Sequence, residues 1–409
     1  MHDGATDANK GVVAVTEAHA ERDVVDHEAS MVIEPRFVAL AEKFFRVCRS
    51  RGLGGGALAV FQHGRPVLDV WAGDAGPGRP WRRDTMAMSY STGKGVAATV
   101  IHRLADRGLV GYDRPVADYW PEFAAAGKDS ITVRELLNHR AGLHRVRGLV
   151  ARDGFLDHDT MAAALANARP DARRLRSPGY HTVTFGPLVV ELAQRVTGMS
   201  FPDLVRAELA VPLGAEDFWF QVPPEQRHRI APLFPTIRIG GFDFETFASR
   251  ARRSKHLNGL VDSIPEGLLR RQNDAAVHDV VQPGWNGVFT ARGLAKMYAA
   301  LANNGTIDDT RFLTRETVAH IARMHPAGGR DYILNMSPHH WLGYHRPMNG
   351  AATPGLGHYG TGGSGGFAFP DIGLSIAFVT NYLGSRMFAA GDLRLPAFTS
   401  MAYRLARRR

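Results

Sequence analysis

Ser91 and Lys94 stand three residues apart at the head of a helical pattern, and their types could support nucleophilic catalysis. Val96, Val100, Ile101, Leu104 and Ala105 follow at helical spacing, and a loop with Gly108, Gly111, Asp113 and Pro115 ends the run. Residues three apart on a helix share a face, which sets the Lys94 amine beside the Ser91 hydroxyl. A serine attacks a carbonyl only when a neighbour takes its proton, and S-x-x-K supplies that neighbour within one turn. The same residues also have an ordinary reading, because serine caps helices and a first-turn lysine is usually solvated. On these residues alone, capping and catalysis stand even. S-x-x-K occurs once, and lysine is scarce: Lys10, Lys43, Lys94, Lys128, Lys255 and Lys296 are the whole set.

A second candidate is Tyr180, in the turn Ser177–Gly186 ahead of a helix carrying Leu188, Val189, Leu192 and Val196 and stopped by Gly198. A phenol can act as a base where nearby cations lower its pKa. A packed tyrosine with its hydroxyl on a backbone partner fits the stretch equally well. Other motifs fail on context. Gly362-Gly363-Ser364-Gly365-Gly366 spells G-x-S-x-G, but a nucleophile elbow must run from strand to serine to helix, and strand, turn and strand follow here. So many glycines mark instead an edge where a ligand approaches backbone. Gly54–Gly56 precede a hairpin and not the helix of a dinucleotide loop. Gly93-Lys94 lacks the remaining residues of a phosphate-binding loop. His139 and His144 have no carboxylate at ligand spacing, so structural histidines are expected there and no metal.

The elements that must position these groups are legible in outline. Phe37, Leu40, Ala41, Phe44 and Phe45 form a helical stripe. Residues 57–61 and 66–71 alternate as strands about a His63-Gly64 turn and form a hairpin. Thr132 with Glu135 three residues on is a capping box, and 290–301 and 393–405 read as helices. Leu374–Asn381 is a strand. Between 229 and 285 the pattern loosens, with Phe234, Phe242, Phe244 and Phe247 among Pro and Gly; a wall over a pocket and a peripheral insertion fit equally.

The 409 residues, 44% hydrophobic and 22% charged, suit a globular protein of one large or two ordinary cores. The net charge of +9 (49 basic less 40 acidic) is spread along the chain except at Arg250–Arg253 and Arg407–Arg409, which argues against nucleic acid as a partner. Cys48 is the only cysteine, so no internal disulfide forms. No apolar run is long enough to span a bilayer. Residues 1–30 read as a loosely ordered arm. Asp3, Asp7, Glu17 and Glu21 stand where a secretory leader needs a basic start, so the cytoplasm is the expected compartment.

Taken together the pieces resemble the serine β-lactamase-like superfamily and, within it, the family VIII carboxylesterases. The resemblance spans about residues 37–405 and rests on five ordered matches: Ser91-Thr92-Gly93-Lys94; Ile131–Leu137 with Ala141-Gly142-Leu143; Pro178–Thr182; Thr290–Ala295 with Tyr298–Leu301; and His358-Tyr359-Gly360 where lactamases carry Lys-Thr-Gly. It implies an α+β fold of the α/β sandwich type: an antiparallel sheet built from both chain ends (31–88 and 286–409), flanked by helices, with a mostly helical domain inserted at 89–285. It also implies a cofactor-free acyl transfer. Ser91 attacks an ester carbonyl; Tyr180, leaning toward its anion beside Lys94, takes the proton; and the N–H groups of Ser91 and Thr361 hold the oxyanion, with His358 and Gly360 alongside the substrate. β-Lactam hydrolysis, D-peptide cleavage, transacylation and a non-catalytic binding role are the alternatives. Two departures weaken lactamase activity and favour neutral esters, expected to carry short to medium acyl chains: lactamase Tyr-x-Asn becomes Tyr180-His181-Thr182, and the lysine that would hold a β-lactam carboxylate becomes His358, mostly neutral at pH 7.

Overall fold

The computed structural model describes residues 31–49, 54–172, 174–235, 238–239, 242–254, 257–323, 330–337, 339–347, 354–384 and 392–408. The expected arm at 1–30 lies outside these residues. The main sheet is antiparallel and takes strands from both chain ends: β1 (Val32–Ile33), β2 (Gly55–Gln62), β3 (Arg65–Gly76), β4 (Leu356–Tyr359), β5 (Gly365–Phe369) and β6 (Leu374–Thr380), in the order β1-β3-β2-β6-β5-β4, with Arg79–Pro80 pairing on β3. The anticipated hairpin is β2–β3. Its two-residue turn has His63 and Gly64 both at positive φ (49° and 79°), a backbone twist that suits strands of right-handed twist. The ends meet where β2 pairs with β6, in a register that sets Val60 against Ile376 and Ala57 against Val379.

Every residue of β2 and β6 is buried, so both faces of the sheet are covered. On one face Leu58, Val60, Ile376 and Phe378 pack with α1 (Val38–Arg49) and the C-terminal helix Arg394–Arg407. On the other, the small residues Ala57, Ala59 and Ala377 meet the alanine-rich helix Ala291–Ala302, and Ser375 donates to the Ala295 carbonyl at 2.7 Å. Small side chains on both partners let helix and sheet approach closely. The expected caps form: Thr132 and Glu135 make a reciprocal capping box, and Thr290 accepts the Gly293 N–H. Among the described residues no helix is long and apolar enough to cross a membrane.

Ala87–Met88 and Val288–Phe289, on either side of the long excursion, pair with each other, and Phe218–Trp219 joins them as a third strand. This small sheet ties the start of α2 (Thr92–Asp106) to the chain's return. The sequence pattern gives α2 one apolar stripe, but the helix is buried on nearly every face from Thr92 to Ile101. Gly93 and Gly95 explain the difference. A Cβ on Gly93 would lie 2.6 Å from the Pro283 carbonyl oxygen, and one on Gly95 would lie 2.4 Å from the Tyr298 hydroxyl. Neighbours therefore reach the helix backbone itself.

Phe398 is the keystone of the outer cluster, fully buried with its ring centroid 5.2 Å from Phe378 and 6.2 Å from Phe44. We expect Phe398→Ala to cost about 3–5 kcal/mol, seen as an earlier midpoint in urea unfolding. A loss under about 1 kcal/mol would mean that this face of the sheet is not a packed core.

Candidate active site

Ser91 immediately precedes α2 and follows Tyr90, which is held at positive φ (45°). The Ser91 side chain makes no capping hydrogen bond, so the ordinary reading of this serine does not apply. Lys94 is not solvated either, being fully buried. Its Nζ lies 3.0 Å from Ser91 Oγ, 2.7 Å from the Thr182 carbonyl oxygen and 2.5 Å from the Gly284 carbonyl oxygen. Burial pushes the amine well below the ordinary lysine range.

Tyr180 comes to the same place from the loop ahead of the helix Phe185–Thr197. Lys94 Nζ stands 4.9 Å from its ring centroid, and the Ser91 hydroxyl lies near enough to the phenol to lower its pKa. Sequence reasoning had the phenol leaning toward its anion. Burial instead pushes it above the ordinary tyrosine range, and the nearby Ser91 side chain offsets this only in part, so the resting group is a neutral phenol. His181 is a latch for this loop: its Nδ1–H donates to the Gly179 carbonyl at 2.7 Å, and its Nε2 accepts the Leu143 N–H at 3.1 Å. The Thr182 hydroxyl pairs with Ser263 at 2.8 Å, leaving its carbonyl for Lys94.

The turn after β4 closes the other side. A Cβ on Gly360 would lie 2.0 Å from the Ser89 carbonyl oxygen and 3.1 Å from the Ser91 nitrogen, so only glycine lets this strand touch the residues before α2. Thr92 Oγ1 donates to the Ser364 carbonyl at 3.1 Å, a second tie across the same contact. Among the described residues the amide N–H groups of Ser91 and Thr361 donate to no other group, and both residues are half-exposed. Ser364 itself is buried, its hydroxyl accepting the Thr380 N–H at 3.1 Å, and a strand follows it where a nucleophile elbow needs a helix.

His358 is buried next to Tyr180, with ring centroids 6.4 Å apart, and its Nδ1–H donates to the Tyr359 carbonyl. Burial and the nearby Lys94 and histidines push it well below its ordinary value, so it is neutral. His144 is satisfied by the Tyr332 hydroxyl at 2.9 Å. His139 departs from the expected satisfied histidine: its Nδ1 accepts the His181 N–H at 3.2 Å, but its Nε2 has no partner among the described residues. The ring lies 4.7 Å from Tyr180 and 4.6 Å from His340 and is enclosed by aromatic faces. No group of three His, Cys, Asp or Glu among the described residues could hold a metal ion.

Sequence reasoning missed Gly284, whose carbonyl belongs to a loop no motif marks. Asn286 builds that loop: its Oδ1 accepts the Gln282 N–H at 3.1 Å, and its Nδ2 donates to the carbonyls of Phe220, Val277 and Val280. A buried asparagine beside Gly-Trp was the available signal. Asp331 and His340, packed beside Tyr180, were missed as well; nothing in their local sequence marks them.

Comparison with known proteins fits this geometry. The Beta-lactamase family profile matches residues 31–399. "Esterase/beta-lactamase LipL" of Mycobacterium tuberculosis (strain ATCC 25618 / H37Rv) is 42% identical over 354 residues, covering 86% of this chain and 82% of that protein. Among solved structures, a family VIII carboxylesterase superposes with a TM-score of 0.80 at 34% identity, over 91% of this chain and 98% of the other. A penicillin-binding protein homologue from Caulobacter crescentus gives 0.77 at 33% identity, over 91% and 98%. The chain belongs to the beta-lactamase family, on its serine carboxylesterase branch.

Proposed function

We propose that this protein hydrolyses small carboxylic esters of short to medium acyl chain through an acyl-enzyme on Ser91, with Lys94 as base and Tyr180 as acid. The observation that carries the reading is the set of three contacts at Lys94 Nζ. An amine has two N–H donors and one lone pair. Protonated, Nζ donates to all three oxygens; once neutral, it keeps its two donors for the Thr182 and Gly284 carbonyls and turns its lone pair to the Ser91 hydroxyl. Desolvation without a carboxylate partner favours that neutral form.

The cycle then balances. Lys94 takes the Ser91 proton as Oγ bonds to the ester carbonyl carbon, and the oxyanion is held by the N–H groups of Ser91 and Thr361. Collapse breaks the bond to the alcohol, which takes its proton from the Tyr180 phenol, and the phenolate recovers one from the Lys94 ammonium. A water then gives its proton to Lys94 and attacks the acyl carbon; Ser91 leaves and is reprotonated. No cofactor is called on. Neutral His358 provides no fixed cation for a substrate carboxylate, which supports neutral esters over β-lactams.

Ser91→Ala is expected to lower turnover of p-nitrophenyl butyrate by about a thousandfold or more. A fluorophosphonate should tag Ser91 in the wild type, as read by mass spectrometry, and full turnover by the variant would refute the reading. The same ester should be cleaved faster than a chromogenic cephalosporin, and the reverse order would make the protein a lactamase first.

The labelling rate should also report the charge on Lys94. The lowered amine pKa means that the reactive neutral form is lost as pH falls and fully present above an inflection below the ordinary lysine value. A rate still climbing at about pH 10.4, the unperturbed lysine pKa, would sink the assignment of Lys94 as a neutral base.

Gly360→Ala must move backbone away from Ser89, because its Cβ would sit 2.0 Å from a carbonyl oxygen. Losing one oxyanion donor costs about 10²–10³ in kcat. We expect a loss of that order, with KM changed much less; a variant of normal kcat would place the oxyanion elsewhere.

A further inference from the structure

Asp331 and His340 are buried against Tyr180, and no step of the acyl transfer uses them. Asp331 is fully buried, and its Oδ1 accepts the N–H groups of Ile333 and Leu334, each at 2.9 Å. The Tyr180 backbone N–H is also near enough to this carboxylate to help offset the rise in its pKa. Oδ2 has no hydrogen-bond partner among the described residues and faces His340 Nε2 at 4.0 Å. The His340 ring lies almost flat on the Tyr180 ring, with centroids 5.2 Å apart and planes at 14°, and neither ring nitrogen is hydrogen-bonded among the described residues. Buried polar groups left unpaired cost free energy, and a carboxylate costs most. Such a pair, kept beside the phenol, calls for a reason other than stability.

The surrounding contacts supply one. The Asp331 loop is pinned to the tyrosine loop, since the Tyr332 N–H donates to the Pro178 carbonyl at 3.2 Å. The Tyr332 ring covers Gly179 so closely that a Cβ there would lie 2.2 Å from it, and the Tyr332 hydroxyl is held by His144. The Asp331 loop therefore holds the tyrosine loop by its backbone, and Asp331 meets the Tyr180 ring through His340.

We propose that Asp331 and His340 are positioning residues that clamp Tyr180: the carboxylate aims the imidazole, and the imidazole fixes the plane of the phenol that protonates the leaving group. This rests on the reading of Tyr180 as the acid. A carboxylate near Nε2 favours the Nε2–H tautomer and holds the ring at a fixed angle, which needs Asp331 ionised.

The groups facing the pair are Tyr180, Tyr332, Lys94, His139, His181, His339 and His345. Burial holds His139, His181, His340 and His345 neutral and the two phenols protonated. The Asp331 carboxyl is pushed up to about 6 by burial, and comparison of wild type with Asp331→Asn separates its change of charge from that of every other group nearby. A folded value above the ordinary 3.8 means that the contribution of Asp331 to stability is present at low pH and lost as pH rises through 6. At pH 8 the ionised carboxylate therefore costs stability, and removing its charge should not lower the melting temperature.

The test uses the full chain with Asp331→Asn, His340→Phe and the double variant, read with p-nitrophenyl butyrate and by fluorophosphonate labelling of Ser91. Loss of the clamp should cut kcat by about 10- to 100-fold with KM little changed, the scale of a misplaced catalytic group. Labelling should stay close to the wild-type rate, because Ser91 and Lys94 are untouched. The double variant should be no worse than the worse single one, and Asp331→Asn should melt no lower than wild type at pH 8. Wild-type kcat divided by the labelling rate, a ratio that cancels the titration of Lys94, should fall on the acid side of about pH 6, and Asp331→Asn should lack that limb. If His340→Phe does not fold, Asp331→Asn and the two pH profiles still decide. Unchanged kcat in the variants, a limb that survives in Asp331→Asn, or losses that merely track a lowered melting temperature would overturn the clamp. Absence of any labelling of wild-type Ser91 would instead overturn the acyl-enzyme reading beneath it.

Discussion

A lysine amine enclosed by protein and hydrogen-bonded, among the described residues, to two carbonyl oxygens and a serine hydroxyl is the condition on which the rest of this site depends. Had a carboxylate stood where Gly284 or Thr182 offers a carbonyl, Lys94 would be held as an ammonium and could take no proton. Keeping it dry demands close approach from several directions. Gly93 admits the Pro283 backbone, Gly95 admits Tyr298, and Gly284 packs with its Cα against the Val183 carbonyl. Each is a place where any side chain would hold two segments apart and let water reach the amine. Glycines inside or beside a helix weaken it, so these sites give up helix stability for access to its backbone.

Much of the frame was legible because local chemistry and long-range packing agree there. The His63-Gly64 turn, the Thr132–Glu135 capping box and the Gly198 stop each have a backbone reason visible within a few residues. The Ser364 motif was set aside for a reason of the same kind, the order of strand and helix around it. What stayed hidden depends on contacts between distant segments. Periodicity assigned α2 one buried stripe, because it registers apolar side chains and cannot register that small residues let neighbours touch the other faces. Carbonyl groups carry no residue-type signature, so Gly284 and Thr182 could not be singled out as partners of Lys94. Asp331 and His340 lie more than 150 positions from the tyrosine they flank, and only the folded chain sets them beside it.

The substitution of His358 for a lysine also changes the electrostatics of the whole pocket. A second ammonium would push Lys94 further toward its neutral form, but would also offer a fixed charge to substrate carboxylates. A buried imidazole gives up that charge. Its Nδ1–H is spent on the Tyr359 carbonyl, which leaves only a lone pair at Nε2 near the tyrosine. On this basis neutral esters meet no electrostatic penalty for lacking an anion, and selectivity falls to shape and to the oxyanion donors.

That logic extends to the unusual number of histidines here. His139, His181, His340, His345 and His358 are all buried around Tyr180 and all pushed below their ordinary values. Neutral imidazoles are planar, polar and able to stack, so they fill the space around a phenol as aromatic residues would while adding donors and acceptors. Acidic side chains in those places would raise the lysine and hold it charged; basic ones would have to be buried without partners. Asp331 is the exception, with Oδ1 on two backbone N–H groups and Oδ2 4.0 Å from His340 Nε2. Among the described residues it makes no ion pair with Lys94, whose shift burial alone sets, so a carboxylate can orient the tyrosine without holding the base as an ammonium.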